Sequence, residues 1–366
     1  MVPELQLARR DALRAELREA DVAALLVTDL VNIRYLTGFS GSNAALLLHA
    51  EDEQRTVFCT DGRYTTQSAA EVPDLERVTD RESAAALLKR AAGQVGSYRR
   101  VGFESHHVSV ESYHTYAAIA GGIELARTPG RVERLRMVKD ETEISALRAA
   151  CAAADRALAD LLERGGIRPG RTEREVAREL ENLMLDHGST GPSFDSIVAA
   201  GANSAIPHHA PTGKVLGPGE FVKLDFGATV DGYHSDMTRT VVIGRPADWQ
   251  RELYELVHQA QASGVAAVLP AGDLAEIDKA ARQVIEQAGH GEEFSHPLGH
   301  GVGLQIHEAP RLAYNAAGTL SVGMTVTVEP GVYLAGRGGV RIEDTLVVRE
   351  SAPEILTLSS KELVAV

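Results

Sequence analysis

The length, charge and cysteine content of the chain exclude several classes of protein. Its 366 residues are enough for two domains with sizeable cores, so a small disulfide scaffold is excluded. The chain has 37 Lys and Arg against 51 Asp and Glu, a net charge of -14, which argues against nucleic acid or an anionic membrane as the main partner. Its two cysteines, Cys59 and Cys151, lie among apolar residues, as expected for buried thiols in a reducing compartment.

The hydropathy pattern predicts a cytoplasmic protein without a membrane partner. No uninterrupted apolar run is longer than six residues, far short of the ~20 that a membrane span needs. Residues 1–19 mix Arg and Glu throughout and lack the apolar core of a signal peptide.

The first third of the chain has the alternating pattern of an α/β domain. The spacing predicts helices over residues 4–19 and 83–92, and strands over 22–28, 44–48, 56–60, 100–104 and 123–127. A turn cluster at 128–131 and the charged stretch that follows place a domain boundary near residue 130. We therefore expect an α/β domain over 1–130 and a second domain over 131–366.

The second domain combines capped helices with short strands. Asp140 with Glu143, and Thr172 with Glu175, have capping-box spacing before apolar stripes. Further helices are predicted over 248–269 and 274–288. Strands are predicted over 221–228, 235–242, 324–329 and 340–348. The pattern indicates an α+β domain with a mainly antiparallel sheet covered by helices.

Acidic side chains occupy the polar faces of these strands. Asp225 lies on the face opposite Leu224 and Phe226, and a hairpin through the turn at 230–232 can bring Asp236 beside it. Glu329 and Glu343 have corresponding positions on the later pair of strands. Any one of these acids, taken alone, is more simply a solvated surface side chain. Four carboxylates in one concavity would repel unless cations neutralised them, so together they point to divalent metal ions.

Histidines form two clusters. Glycines flank His300 in the stretch 299–303, where they let the backbone approach closely and leave the imidazole free to bind a ligand. His296 and His307 lie nearby, and His208 lies in a loop between two prolines. A lone histidine in such a place is more often a packing or capping residue, so this signal depends on the carboxylates.

Five motifs in order resemble the proline-specific metallopeptidases of the pita-bread fold, which include Xaa-Pro aminopeptidase (aminopeptidase P) and Xaa-Pro dipeptidase (prolidase). The motifs are Leu-Asp-Phe-Gly-Ala at 224–228, Ser-Asp-Met-Thr-Arg-Thr at 235–240, Gly-His-Gly-Val-Gly at 299–303 with His-Glu-Ala-Pro at 307–310, Val-Glu-Pro-Gly at 328–331 and Gly-Val-Arg-Ile-Glu-Asp-Thr at 339–345. The resemblance covers the whole chain, because these enzymes also have an amino-terminal α/β domain, and no ligand position departs from the pattern.

The resemblance implies two divalent metal ions per subunit. Their ligands would be Asp225, Asp236, His300, Glu329 and Glu343, with Asp236 and Glu343 bridging the ions. This donor set suits manganese, cobalt, zinc or iron(II) rather than a thiolate zinc site.

The resemblance also implies roles around the metal ions and the nature of the partners. Glu329 would carry a proton from water to the leaving proline nitrogen, and His307 and His208 would contact the substrate. His296 and Arg341 would be further site residues, with Arg341 orienting carboxylates. The partners would be a peptide with proline at the second position and a second copy of the chain in a homodimer.

Other functions on this fold stay as alternatives. The loops at 35–42 and 60–64 favour aminopeptidase P over a dipeptidase; Gly and Ser there are also ordinary turn residues. Methionine aminopeptidase is disfavoured by the additional ~130 amino-terminal residues and by the segment 341–344. All five ligand positions hold residues that can bind metal. This disfavours creatine-type amidinohydrolysis, which needs no metal, and also a non-catalytic peptide-binding module.

Overall fold

A computed structural model describes residues 3–94 and 96–366, and the chain divides into two compact units, 1–136 and 137–366. The division falls at the end of a helix that begins at Arg131, whereas the sequence predicts the boundary just before that helix. Among the described residues, no helix combines the length and the apolar character needed to cross a membrane.

The amino-terminal unit is a six-stranded mixed sheet with helices. Its helices are α1 (Pro3–Glu19), α2 (Leu30–Thr37), α3 (Thr65–Glu71), α4 (Ser83–Ala92), α5 (Val110–Ala120) and α6 (Arg131–Met137). Its strands are β1 (Ala24–Val27), β2 (Ala44–His49), β3 (Val57–Thr60), β4 (Glu76–Thr79), β5 (Arg100–Phe103) and β6 (Glu124–Arg127). The strand order is β4-β3-β2-β1-β5-β6; β1 pairs antiparallel with β2 and β2 with β3, and the other pairs are parallel.

The predicted α/β character of this unit is confirmed, but four of its helices and the strand β4 were not predicted. Helix α5 shows why: of its residues only Ala120 is buried, and Tyr116 and Ile119 are only partly buried against the core, so its amphipathic pattern is weak. The stretch predicted as a charged linker is helix α6, which buries Val132 and Arg136. The two loops at 35–42 and 60–64 contact each other, with the Ser42 hydroxyl 2.6 Å from that of Tyr64.

The carboxy-terminal unit consists of antiparallel strands covered by four long helices. These helices are α7 (Glu141–Glu163), α8 (Glu173–Asp186), α9 (Asp248–Ala267) and α10 (Leu274–Gln287). The strands are β7 (Gly191–Pro192), β8 (Ile197–Ala200), β9 (Phe221–Phe226), β10 (Ala228–Val230), β11 (Tyr233–His234), β12 (Met237–Val242), β13 (Gly299–Gly301), β14 (Glu308–Leu312), β15 (Thr325–Val328), β16 (Gly331–Leu334), β17 (Gly338–Arg341), β18 (Asp344–Val347) and β19 (Glu354–Ile355). All named strand pairs in this unit are antiparallel, which confirms the predicted sheet.

Two cores hold the helices onto the strands. One core packs α7 and α8 against the apolar faces of β9 and β12, and the other packs α9 and α10 against β15 and β18. Both predicted capping boxes form, at Asp140 with Glu143 and at Thr172 with Glu175. Because the helices cover one face of these strands, the alternate side chains, including Asp225 on β9, are left on the other face.

The prediction of one continuous strand over 340–348 is wrong. The segment is β17 and β18 with Ile342 and Glu343 between them, and β17 pairs with β16 while β18 pairs with β15. A similar break at Gly227 separates β9 from β10, and another separates β11 from β12. Simple alternation cannot reveal such breaks, because the residues on both sides keep strand-like composition.

Candidate metal centre

A cavity of about 860 Å³ in the carboxy-terminal unit contains every site residue that the sequence predicted. They are His208, Asp225, Asp236, His296, His300, His307, Glu329, Arg341 and Glu343. The residues come from separate loops and strands spread over more than 130 positions of sequence, so the fold brings them together.

The hairpin of β9 and β12 carries the first two acids. Asp225 on β9 is paired with Thr238, and Asp236 lies in the break just before β12. Asp225 and Asp236 are 7% and 5% exposed. The predicted hairpin therefore places both aspartates in the same cavity wall.

The second hairpin runs from β15 and β16 to β17 and β18 and carries the other two acids. Glu329 lies between β15 and β16, and Glu343 lies between β17 and β18. Glu329 follows β15, and its N–H donates to the carbonyl of Leu298 at 2.9 Å. The N–H of Glu343 donates across to Thr238 of the first hairpin at 3.1 Å. The backbone N–H of Glu343 therefore bonds the first hairpin and not a strand of its own hairpin. This hydrogen bond joins the two hairpins next to the acids.

His300 faces these carboxylates from β13. Its Nε2 lies 3.5 Å from Asp236 Oδ2 and 3.4 Å from Glu329 Oε1, and its Nδ1 donates to the carbonyl of Gly301 at 3.0 Å. With Nδ1 as the donor, Nε2 is left with the lone pair that a metal ion requires.

The glycines beside His300 are needed for close packing of strands. A Cβ at Gly299 would lie 2.0 Å from the carbonyl oxygen of Thr327, and one at Gly301 would lie 2.3 Å from that of Ala309. These distances confirm that the glycines allow the close backbone approach expected from the sequence.

The electrostatics of the cluster favour a bound cation. Burial, followed by the neighbouring carboxylates, raises the pKa of Asp236 and of Glu343 well above the ordinary range. Burial also raises the pKa of Glu329 to about 7 and lowers the pKa of His300. The acids thus lie in surroundings that disfavour their charged forms unless a positive charge is present.

The donor atoms fit a divalent metal ion. Single donor atoms of Asp236, His300 and Glu343 all lie within 4.8 Å of one another. Oδ1 of Asp225 and Oε1 of Glu343 are buried and accept no hydrogen bond within the described chain. Buried carboxylate oxygens without a donor are expected where an ion is to be bound, and oxygen donors with one imidazole suit Mn²⁺, Co²⁺ or Zn²⁺.

Arg341 holds Asp225 and is linked to His296 through Tyr333, which the sequence did not predict as a site residue. The guanidinium bonds Asp225 Oδ2, and its Nη1 donates to the Tyr333 hydroxyl at 2.7 Å. That hydroxyl lies 2.8 Å from Nε2 of His296, whose Nδ1 donates to the carbonyl of Pro297. Burial and the charge of Arg341 lower the pKa of His296 to about 3, which keeps it neutral as an acceptor.

The open side of the cavity is lined by His208, His307 and Arg311, and the sequence did not predict Arg311 as a site residue. His208 and His307 are exposed, and the rings of His307 and His300 are 4.5 Å apart. Arg311 is exposed on β14 and is the strand partner of His300. Arg311 follows the motif at 307–310 by one position, so its place in the sequence was the available signal. The inner wall is thus acidic, while its rim offers imidazoles and a guanidinium.

A buried cluster of carboxylates and one imidazole at the floor of a cavity defines a metal-dependent hydrolase. The family model for metallopeptidase family M24 matches residues 145–350, and that for the creatinase/prolidase N-terminal domain matches residues 9–138. The chain belongs to metallopeptidase family M24, and its fold is the pita-bread fold.

Relatives with solved structures match along nearly the whole chain. The Xaa-Pro dipeptidase from Bacillus anthracis is 38% identical, with a TM-score of 0.94 over 99% of this chain and 100% of that chain. The X-Pro aminopeptidase from Thermotoga maritima is 33% identical, with a TM-score of 0.88 over 95% of this chain and 99% of that one. The Xaa-Pro dipeptidase of Pyrococcus horikoshii is 34% identical over 94% of this chain and 95% of its own length.

Proposed function

We propose that this metallopeptidase hydrolyses the bond between an amino-terminal residue and proline, and that Xaa-Pro dipeptides are its preferred substrates. The observation that carries the proposal is the position of Arg311, exposed in the same cavity as the carboxylate cluster and next to His300. A guanidinium there can bind the carboxylate at the end of a dipeptide through charge-assisted hydrogen bonds. The names of the relatives from Bacillus anthracis and Pyrococcus horikoshii support this choice.

The proposed cofactor is a pair of divalent ions held by Asp225, Asp236, His300, Glu329 and Glu343. Bound divalent ions lower the pKa of water and polarise a carbonyl group. The unpaired oxygens of Asp225 and Glu343 support their assignment as ligands. Arg341 holds Asp225 in place through its guanidinium and is a positioning residue.

Glu329 is the proposed proton carrier. A carboxylate beside the bound ions can accept a proton from the attacking water and deliver it to the proline nitrogen. Thr327 Oγ1 donates to Glu329 Oε1 at 3.2 Å and so orients the carboxyl group. When its bond to the carbonyl carbon breaks, the proline nitrogen must receive a proton to leave as an amine, as the nitrogen of any amide must.

The two exposed histidines are the proposed substrate contacts. His307 would donate to the oxyanion that develops from the scissile carbonyl, and His208 would contact the carbonyl side of the substrate. Neutral His296 accepts from Tyr333, which in turn accepts from Arg341, so His296 supports the ligand Asp225 indirectly. A homodimer is also proposed, on the family resemblance, and light scattering at micromolar concentration measures it.

The experiment compares alanyl-proline with alanyl-prolyl-alanine after reconstitution with Mn²⁺, Co²⁺ or Zn²⁺. We expect hydrolysis of the dipeptide, and Arg311→Met should raise its KM about 10- to 100-fold, since a charge-assisted bond contributes about 1.5–3 kcal/mol. The tripeptide, whose carboxylate lies one residue further away, should be affected much less. Arg164→Met, at an exposed arginine on the helix α7 cap, is the control. No hydrolysis of either peptide with any of the three ions would refute the proposal.

Aminopeptidase P activity is the second candidate. The Thermotoga maritima structure, whose name is X-Pro aminopeptidase, favours it, as do the loops at 35–42 and 60–64. In that case the tripeptide would be the better substrate, and Arg311→Met would change both KM values by less than about threefold, or about 0.7 kcal/mol.

A further inference from the structure

The strand that carries Asp225 also carries a buried lysine, Lys223, for which the reaction above has no use. Lys223 lies in the central strand β9, where its partners are Ala199 on β8 and Thr240 on β12. Its side chain is 0% exposed. A buried amine is unfavourable unless its N–H groups are hydrogen-bonded, so the contacts of Lys223 indicate why the position tolerates it.

Both hydrogen bonds of Lys223 end on the loop that carries His208. Its Nζ lies 2.7 Å from the carbonyl oxygen of Ile206 and 3.1 Å from that of Pro207. Nζ also lies 5.0 Å from the centroid of the Tyr333 ring. An amine in either protonation state has enough N–H groups for two carbonyls, so these contacts do not depend on its charge.

Other residues fix this loop on either side of the segment that Lys223 contacts. Glu173 accepts hydrogen bonds from the N–H groups of Ala200 and Thr212 at 2.8 and 2.9 Å, on either side of the loop. Between these points Ser204 and His209 are also buried, whereas Ile206 is 48% exposed. Lys223 therefore holds the segment between these two buried residues, directly before His208.

Arg341 shares this task but is tied to the metal centre. Its Nη1 lies 3.3 Å from the carbonyl oxygen of Pro207, while the same guanidinium bonds Asp225. The hydrogen bonds of Lys223, in contrast, go to the loop and not to a proposed metal ligand. Substitution of Lys223 can therefore separate the position of His208 from metal binding.

We propose that Lys223 is a positioning residue, which fixes His208 in the cavity by holding the carbonyl oxygens of Ile206 and Pro207. The inference rests on the proposed function in one respect, the contact of His208 with substrate. Loss of Lys223 should leave the metal ligands intact and let the loop move, so that His208 no longer meets the scissile bond in a productive geometry.

The kinetic test is a double-mutant cycle with Mn²⁺-loaded protein and alanyl-proline. We expect Lys223→Met and His208→Ala each to lower kcat/KM at least tenfold. In the His208→Ala background, Lys223→Met should change kcat/KM by less than threefold, since the two residues act through one contact. A purely structural lysine would give the same loss in both backgrounds, which would overturn the proposal. Lys279→Met, at an exposed lysine on α10, is the matched control.

A structural test does not depend on activity. In a crystal structure of Lys223→Met, residues 206–208 should be displaced or disordered, while α8 and β9 keep their positions and the bound Mn²⁺ per chain is unchanged. An unmoved loop, or a loss of metal equal to the loss of activity, would overturn the proposal. If Lys223→Met does not fold, Lys223→Gln gives the same test, because its shorter side chain cannot reach both carbonyls. An inactive wild-type protein would refute the proposed function, and the crystal structure alone would then decide the role of Lys223.

Discussion

Substitution of the buried carboxylate Glu173 should lower the free energy of unfolding of the carboxy-terminal unit, and the hydrogen bonds around Glu173 set the size of the change. Burial acts to raise the pKa of Glu173, but hydrogen bonds from Thr212, Ala200, Asn203 and His209 outweigh it and lower the pKa from 4.5 to about 2. A depression of this size corresponds to about 3 kcal/mol in favour of the charged form in the folded protein. Glu173→Gln, which removes the charge, should therefore lower the free energy of unfolding at pH 7 by about 3 kcal/mol.

The sign of the pH dependence follows from the same shift. Because the pKa of Glu173 is lowered on folding, its stabilisation is fully present above about pH 4.5 and is lost as the pH falls toward about 2. The Glu173→Gln protein should lack this component of the pH dependence. The wild-type protein should therefore approach the stability of the variant at the acidic end of that range.

Urea unfolding followed by tryptophan fluorescence measures this change, since the single tryptophan, Trp249, lies on α9 in the same unit. The control is Glu276→Gln, at a side chain that is 67% exposed, which should change the free energy of unfolding by less than about 0.5 kcal/mol. A change below about 1 kcal/mol for Glu173→Gln, or identical pH profiles of wild type and variant between pH 4.5 and 2, would refute the reasoning.

Three further predictions concern the metal centre and the strand break beside it. Asp236→Asn should at least halve the amount of metal that stays bound after dialysis, as measured by elemental analysis. Asp231→Asn, in the exposed turn, is the control and should not reduce it. Equal metal contents of the two variants would contradict the assignment of Asp236 as a ligand. Removal of metal with EDTA should lower the midpoint of thermal unfolding, since the buried carboxylates then repel each other, and an unchanged midpoint would argue against a buried ion. Gly227→Ala should lower the free energy of unfolding by about 3 kcal/mol, because its Cβ would lie 1.8 Å from the carbonyl oxygen of Ser235. Gly213→Ala, with no atom within 4 Å, is the control for urea unfolding, and equal stability of the two variants would count against the clash.

The elements predicted best are those whose sequence carries a local signal. Helices α7 and α8 begin at the predicted capping boxes because the cap is a contact between residues three apart. Helix α5 gives only a weak signal, because Ala120 alone among its residues is buried and its other core contacts are partly buried. The segment 340–348 was predicted as a single strand because a break between two strands changes the hydrogen-bond partners without changing the local composition.

The residues of the site also divide into those with a local sequence signal and those without one. The acids at 225, 236, 329 and 343 could be predicted because each lies in a recognisable motif within or directly beside a strand. The sequence does not mark Tyr333, and the only signal for Arg311 is its position directly after the motif at 307–310. Their positions depend on the hydrogen bond to Arg341 and on the pairing of β14 with β13.

The sequence by itself determined the family, and it predicts two domains and a set of metal ligands, because motif order, apolar periodicity and capping are local properties of the chain. Only the tertiary structure decided how the acids meet, with Glu343 bonded across to Thr238, and which groups surround them. It also decided that the buried amine of Lys223 holds the loop before His208. These contacts join residues that are far apart in the chain, and they exist because two separate hairpins, each packed on its own pair of helices, meet each other and a loop at the cavity.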